Sequence, residues 1–226
     1  MINQDGFITS HSLETLEVGE DKEMHEFVGE YNPRYSLLDT DNPHTLGPLD
    51  LYDYYFEHKR QQVEAMMHAD RVIREYMKQY SELVNRPINV VEPYRLDDAE
   101  FVYVAMNSTA GTLRVVVDML RDKGVRAGLL KIRLYRPFPW RDVKSLLGDK
   151  HKIVVLDRAL SPGATGGALY QDIRSSLYGL STPIVAGYVY GLGGREFTEE
   201  QGLRIYEELR GLDDNEPFQR FMGVRE

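Results

Sequence analysis

The 226-residue sequence contains no cysteine. That excludes disulfides, thiolate zinc sites, cysteine nucleophiles and any cysteine-ligated iron–sulfur cluster carried by this chain. A reducing compartment fits, and a cytoplasmic protein is expected. No apolar run approaches the roughly 18 residues that a membrane-spanning helix requires. The opening Met1-Ile2-Asn3-Gln4-Asp5-Gly6 lacks the basic region and apolar stretch of a secretory signal. Basic charge is also short. Lys and Arg number 27 against 36 Asp and Glu, for a net charge of −9, which argues against nucleic acid as the main partner. The six histidines (His11, His25, His44, His58, His68 and His151) never fall into H-E-x-x-H or similar helix-face spacing. A metal site is therefore not expected.

The composition that remains is that of a globular protein, with 42% hydrophobic and 28% charged residues. Its length suffices to bury a core without staples. The acidity is local. Residues 1–50 hold 11 acids and two bases, Lys22 and Arg34, and the other 176 residues are balanced. The acidic stretch has recurrent turn-formers at Asp5-Gly6, Asn32-Pro33, Asp41-Asn42-Pro43 and Gly47-Pro48. It also carries Phe7, Leu13, Phe27, Tyr31 and Tyr35, more apolar content than a disordered tail has. The pattern predicts an extended arm over 1–48 with short elements, packed in part on another domain or chain.

Residues 49–86 predict one long helix. Val63, Met66, Ile73, Met77, Tyr80 and Val84 recur at helical spacing, Arg71–Glu75 and Lys78–Glu82 have the four-residue spacing of surface ion pairs, and Arg86-Pro87 is the expected stop. From Ala99 onward, buried strands alternate with amphipathic helices. Strands are expected at 99–106, 125–134, 153–156 and 183–190, and helices at 112–123, 140–147, 166–178 and 198–210. Thr198 and Gln201 form a capping box at the start of the last helix. Four successive β-α units imply an α/β, Rossmann-like, largely parallel and doubly wound sheet over 97–212. Residues 213–226 read as a polar tail.

In such sheets, ligands and partners meet the carboxyl ends of the strands. Three small-residue loops are predicted there: Asn107–Thr112, Asp157–Gly167 and Tyr190–Glu196. The third approaches G-x-G-x-x-G, but Glu196 stands at the third glycine, and no G-x-x-x-x-G-K-[ST] occurs. Glycine in these loops then serves tight turns and the close approach of another domain. Asp157-Arg158 reads either as a polar site pair or as an ion pair closing a strand end. His11 beside Ser10 and Asp5 invites a hydroxyl-activation reading, but a hydrogen-bonded structural histidine accounts for it better.

Eight stretches, in order along almost the whole chain, resemble one family. They are Asp5-Gly6-Phe7-Ile8-Thr9-Ser10-His11, Asp41-Asn42-Pro43, Glu57-His58-Lys59-Arg60-Gln61-Gln62, Ser108-Thr109-Ala110-Gly111-Thr112, Leu129–Arg133, Arg136-Pro137-Phe138-Pro139, Val155-Leu156-Asp157-Arg158-Ala159 and Tyr190–Arg195. Together they are similar to the α subunit of 2-oxoacid:ferredoxin oxidoreductases of the pyruvate type. The resemblance implies oxidative decarboxylation of a 2-oxoacid on thiamine diphosphate and magnesium, with electrons leaving through iron–sulfur clusters to ferredoxin or flavodoxin and the acyl group passing to CoA. It implies that residues 97–212 form a transketolase C-terminal-type domain, structural rather than catalytic.

In the family, a pyrimidine-binding domain precedes the segment matching Asp5–His11. Residues 1–48 are accordingly expected to be an arm from that domain, and the isolated chain is expected to be inactive and to bind no cofactor alone. The family resemblance further implies a hetero-oligomer with other subunits, and no nucleic-acid or membrane partner. No catalytic, cofactor-binding or metal-ligating residue is assigned. Asp5, Gly6, Phe7, Ser10, His11, Ser108, Thr109, Gly111, Asp157, Arg158, Gly191, Gly193, Gly194 and Arg195 are expected to face a neighbouring domain or subunit. The alternatives are a stand-alone Rossmann-like module for a nucleotide or CoA, supported by the glycine loops, and a scaffold that binds a partner through residues 1–50.

Overall fold

The computed structural model describes residues 1–6, 8–180, 183–211 and 219–225. They form two compact units, Glu14–Ile88 and the combination of Met1–Leu13 with Asn89–Glu226.

The smaller unit is built on α1 (Asp21–Val28) and α2 (Tyr55–Leu83). At a 1.5 Å rise the 29 residues of α2 run about 43 Å. It begins six residues later than the periodicity predicts. Residues 51–55 form a turn in which the amides of Tyr54 and Tyr55 donate to the Leu51 carbonyl, and Asp50 reaches forward to His58 Nδ1 at 2.7 Å. The stop also comes before Arg86-Pro87. Asn85 adopts φ 46, the left-handed conformation in which asparagine ends helices. The Ser81 hydroxyl then accepts from the Ile88 amide at 2.8 Å. The ion pairs that form on α2 are Arg60–Glu64 (2.6 Å) and Asp70–Arg74 (2.9 Å), not the two pairs anticipated. Phe27 of α1 packs against Tyr76 and Tyr80, with ring centroids 6.1 and 5.5 Å apart. Neither helix contains a buried residue.

The larger unit is the α/β body. Its strands are β1 (Val91–Tyr94), β2 (Phe101–Met106), β3 (Ala127–Ile132), β4 (Lys152–Asp157), β5 (Ile184–Tyr190) and β6 (Gln219–Met222). They lie in the order β1-β3-β2-β4-β5-β6. β1 is antiparallel to β3, and the other five are parallel. The expected doubly wound sheet is therefore present. The two edge strands are additions. β1 was not anticipated because it is four residues long and contains Pro93, which is tolerated at a sheet edge. β6 lies within the stretch read as a tail, and its four residues show no alternation.

Phe101–Ala105 of β2 are all buried, as a parallel strand covered on both faces requires. α3 (Thr109–Asp122) and α6 (Glu199–Leu209) pack together on one face; α4 (Trp140–Leu147) and α5 (Ala168–Ser176) pack together on the other. The core on the α3 side joins Tyr103, Leu129, Val154 and Tyr188 of the sheet to Leu113, Val116 and Ile205 of the helices. α6 starts with the anticipated capping box between Thr198 and Gln201.

The position of α6 has a topological consequence. Both α5 and α6 connect a strand to the next one outward, yet they lie on opposite faces. Crossovers in parallel sheets are almost always right-handed, and α3, α4 and α5 share one hand. The β5–α6–β6 crossover has the other. The turn after β5 carries the chain across the sheet, with Gly191, Gly193 and Gly194 at φ 64, 71 and 80. Only glycine adopts such a run without steric cost. This is the role of the segment that resembles a dinucleotide fingerprint.

Gly202 lets α6 lie close to α3. A Cβ there would meet Val116 at 2.7 Å, and the Gly202 carbonyl accepts the buried Tyr103 hydroxyl at 2.8 Å. Gly202→Ala should overpack this contact and destabilise the chain by about 1–3 kcal/mol, read as a lower urea midpoint with unchanged slope.

Candidate functional site

Of the parallel strands β2 comes first in the chain, with β3 placed on one side of it and β4 on the other. The loops leaving β2 and β4 therefore diverge, and the crevice between them is where ligands of doubly wound sheets bind. After β2, Asn107 turns the chain at φ 54, and α3 begins at once. Its first residue, Thr109, is buried. The Thr109 hydroxyl lies 2.6 Å from that of Tyr190, the last residue of β5. Burial pushes the Tyr190 phenol upward, against the Thr109 hydrogen bond and the nearby Arg158 charge. Tyr190 also meets Phe197 edge-on at 5.1 Å.

Arg158 follows β4 and lies over Tyr190, its guanidinium carbon 5.1 Å from the ring centroid. Its Nη2 donates to Thr109 Oγ1 at 3.3 Å. The guanidinium fits because residue 191 is glycine: a Cβ there would meet Arg158 Nε at 2.9 Å. Arg158 Nε and Nη1 are buried without a hydrogen-bond partner among the described residues.

A carboxylate enters this pocket from residues 1–13. Asp5 Oδ2 accepts the Ser108 amide at 2.7 Å, at the N-terminus of α3, where unpaired amides and the helix dipole favour an anion. Asp5 Oδ1 stands 3.9 Å from Arg158 Nη1. The place that phosphate takes in nucleotide-binding relatives of this architecture is thus filled by the chain's own side chain.

Asp157 has a different role from either anticipated. It pairs with no arginine. Its buried carboxylate accepts the amides of Leu169 and Tyr170 at 3.0 and 2.9 Å, closing the N-terminus of α5. Desolvation raises its pKa, the two amide bonds oppose that rise, and the nearby Asp172 adds to it.

Of the residues singled out from the sequence, Asp5, Ser108, Thr109, Arg158 and Gly191 come together. Gly6 lies in the turn after Asp5, and the Gly6 carbonyl accepts the Ile8 amide at 2.9 Å. Ser10 Oγ is 2.8 Å from His11 Nδ1 at an exposed position, and Asp5 is engaged elsewhere, so no hydroxyl-activating triad forms. Gly111 is an open position in α3. Gly193 and Gly194 shape the turn after β5. Arg195 donates to the Gly223 carbonyl, tying that turn to the end of β6. Phe7 lies outside the described residues. Sequence reasoning missed Tyr190 as a site residue. The available signal was a tyrosine ending a buried strand, whose hydroxyl must find a polar partner.

Two family models match the chain. Residues 99–201 match core domain II of pyruvate:ferredoxin oxidoreductase, and residues 1–78 match the thiamine diphosphate-binding model of pyruvate flavodoxin/ferredoxin oxidoreductases. Pyruvate synthase subunit PorA of Thermotoga maritima is 47% identical over all of this chain and 58% of its own length. PorA of Methanocaldococcus jannaschii is 38% identical over all of the chain and 57% of its own length. The chain belongs to the α subunits of the 2-oxoacid:ferredoxin oxidoreductases. It spans just over half the length of these relatives. Ketoisovalerate oxidoreductase subunit VorA of Pyrococcus horikoshii, with another named substrate, is 33% identical over 93% of the chain and 54% of its own length. Among solved structures, a 2-oxoglutarate:ferredoxin oxidoreductase of Magnetococcus marinus aligns at TM-score 0.42 and 19% identity, over 62% of this chain and 23% of that one.

The cradle at the strand ends does not fit a thiamine diphosphate. Asp5 already holds the Ser108 amide and faces Arg158, and its negative charge would repel the diphosphate. Among the described residues no group of three His, Asp or Glu side chains is placed to hold a magnesium ion. No described helix is long and apolar enough to cross a membrane.

The Asp157 cap can be tested through pH. A carboxyl whose folded pKa is raised contributes stability that is complete below its ordinary value of 3.8 and is lost as pH rises through the folded value. Asp157→Asn has no proton to lose. It should gain on the parent in urea unfolding as pH goes from about 4 to about 7, whereas Asp157→Ala, which uncaps two buried amides, should cost about 1–3 kcal/mol throughout.

Proposed function

We propose that the chain serves a pyruvate-type 2-oxoacid:ferredoxin oxidoreductase as the structural and interface part of its α subunit. The assembly oxidatively decarboxylates pyruvate on thiamine diphosphate, transfers the acyl group to CoA and delivers two electrons through iron–sulfur clusters to ferredoxin or flavodoxin. Residues 97–212 supply the transketolase C-terminal-type domain. Residues 1–48 and the helix of 49–86 join it to the thiamine-binding part. The observation that carries this reading is the 47% identity to a pyruvate synthase α subunit across every residue of the chain.

The structure supports an interface role in two ways. First, α2 buries no residue. Phe56, Val63, Met67 and Tyr76 on it, and Tyr31, Leu38 and Tyr52 before it, are exposed. A concentration of large apolar side chains in one unit marks a surface meant for another chain or domain. Second, the strand-end cradle is self-filled, which removes the main support for a free-standing nucleotide or CoA module.

The test is reconstitution. The isolated chain should show no pyruvate-dependent reduction of a viologen dye, and it should bind cognate subunits of the oxidoreductase in co-expression capture. Exchange of Phe56, Val63 and Met67 for serine should reduce that capture at least tenfold while circular dichroism stays unchanged. Turnover by the isolated chain would overturn the reading. So would saturable calorimetric binding of CoA or ADP together with no capture of the cognate subunits.

A further inference from the structure

Among the described residues of the segment 1–13, all but Asp5 and Ile8 are exposed, with Met1, Ile2 and Leu13 projecting into solvent. Asp5 is the charged residue of these two, and its side chain is only 10% exposed. A carboxylate does not stay buried unless its charge is compensated. Here two groups do so: the Ser108 amide at 2.7 Å, at the start of a 14-residue helix, and Arg158 at 3.9 Å. The dependence is mutual. Among the described residues, Arg158 has two buried nitrogens without a hydrogen-bond partner, and Asp5 is the acid paired with it.

The family models give this contact its meaning. Residues 1–78 match the thiamine-binding model and 99–201 match core domain II, yet Met1–Leu13 fold with the unit that contains domain II. Asp5 belongs to the first match by sequence and to the second by packing. It sits where the chain passes from one part of the family's architecture to the other.

We propose that Asp5 is a positioning residue, a latch whose carboxylate clips its own segment into the crevice between β2 and β4 and so ties the start of the thiamine-binding match to domain II. The latch is a property of the chain itself. Its consequence for catalysis rests on the functional reading above. Ser108 supplies the directional bond, Arg158 the charge, and Gly191 the space for Arg158.

The absence of cysteine allows a direct test. A spin-label pair at Ile2→Cys and Val115→Cys reports the position of the segment against α3. A second pair at Val115→Cys and Lys144→Cys reports the body alone. In the parent, both pairs should give narrow distance distributions. Asp5→Asn and Asp5→Ala should widen the first at least twofold and leave the second unchanged. Arg158→Met should do the same, and Asp5→Glu should restore part of the narrow distribution. A first pair that stays narrow in Asp5→Asn and Asp5→Ala would overturn the latch. So would equal broadening of both pairs, which would mean general loosening of the fold. Asp5→Asn keeps the shape and an acceptor for Ser108, so it tests the charge even if Asp5→Ala does not fold. Because these distances are read on the chain alone, failure of the latch is distinct from failure of the reconstitution experiment.

Discussion

Everything in the α/β body follows from the parallel sheet being buried on both faces. The strands of such a sheet carry almost continuous apolar residues, and each must be reached by a helix that crosses a face. With β2 the first of the parallel strands and the later ones placed on either side of it, the chain must reverse direction across the sheet once. The reversal opens a crevice at the ends of β2 and β4, and the amides of a helix N-terminus point into it. An anion must satisfy that polarity, from outside or from within. In this protein it comes from within.

The self-filled crevice accounts for several features together. Asp5 can be buried because Ser108 and Arg158 compensate it. Arg158 can lie flat on Tyr190 because residue 191 has no side chain. Tyr190 can end a buried strand because Thr109 takes its hydroxyl. Asp157, adjacent to Arg158 in sequence, points along β4 to close the next helix. Two neighbouring charged residues thus serve two helix starts, α5 directly and α3 through Asp5. A motif search for phosphate-binding loops fails here for a physical reason: the glycines serve the turn after β5, which carries the chain to the opposite face for its left-handed crossover.

Much of this was legible in the sequence, and the omissions have identifiable causes. The β-α alternation from Ala99 is strongly periodic, so the type and order of its elements could be read directly. The capping box at Thr198 was legible because its chemistry is local. The helix of 49–86 was found, but its ends were not: Asn85, with its tolerance for positive φ, stops it before Pro87 can. The edge strands β1 and β6 were missed because four residues give no period. Asp5, Ser108 and Arg158 were singled out through resemblance, but their meeting is a contact across 103 positions in sequence, and no local pattern reports it. Asp157-Arg158 was misread as a possible pair because adjacency in sequence does not report that Asp157 turns to the amides of α5 while Arg158, just past the strand, turns to Thr109 and Tyr190.

Pro93 bears on how the protein meets other chains. The Val90 carbonyl accepts the Arg133 amide at 3.0 Å, so even-numbered positions of this edge face β3, and Pro93 is turned to the open side. There a neighbouring strand would look for a donor and find a ring. A strand added in that direction would lose a ladder bond at Pro93, which blunts the edge against edge-to-edge aggregation. Association on that side is thereby shifted from backbone toward side chains, and its specificity is open to tuning residue by residue.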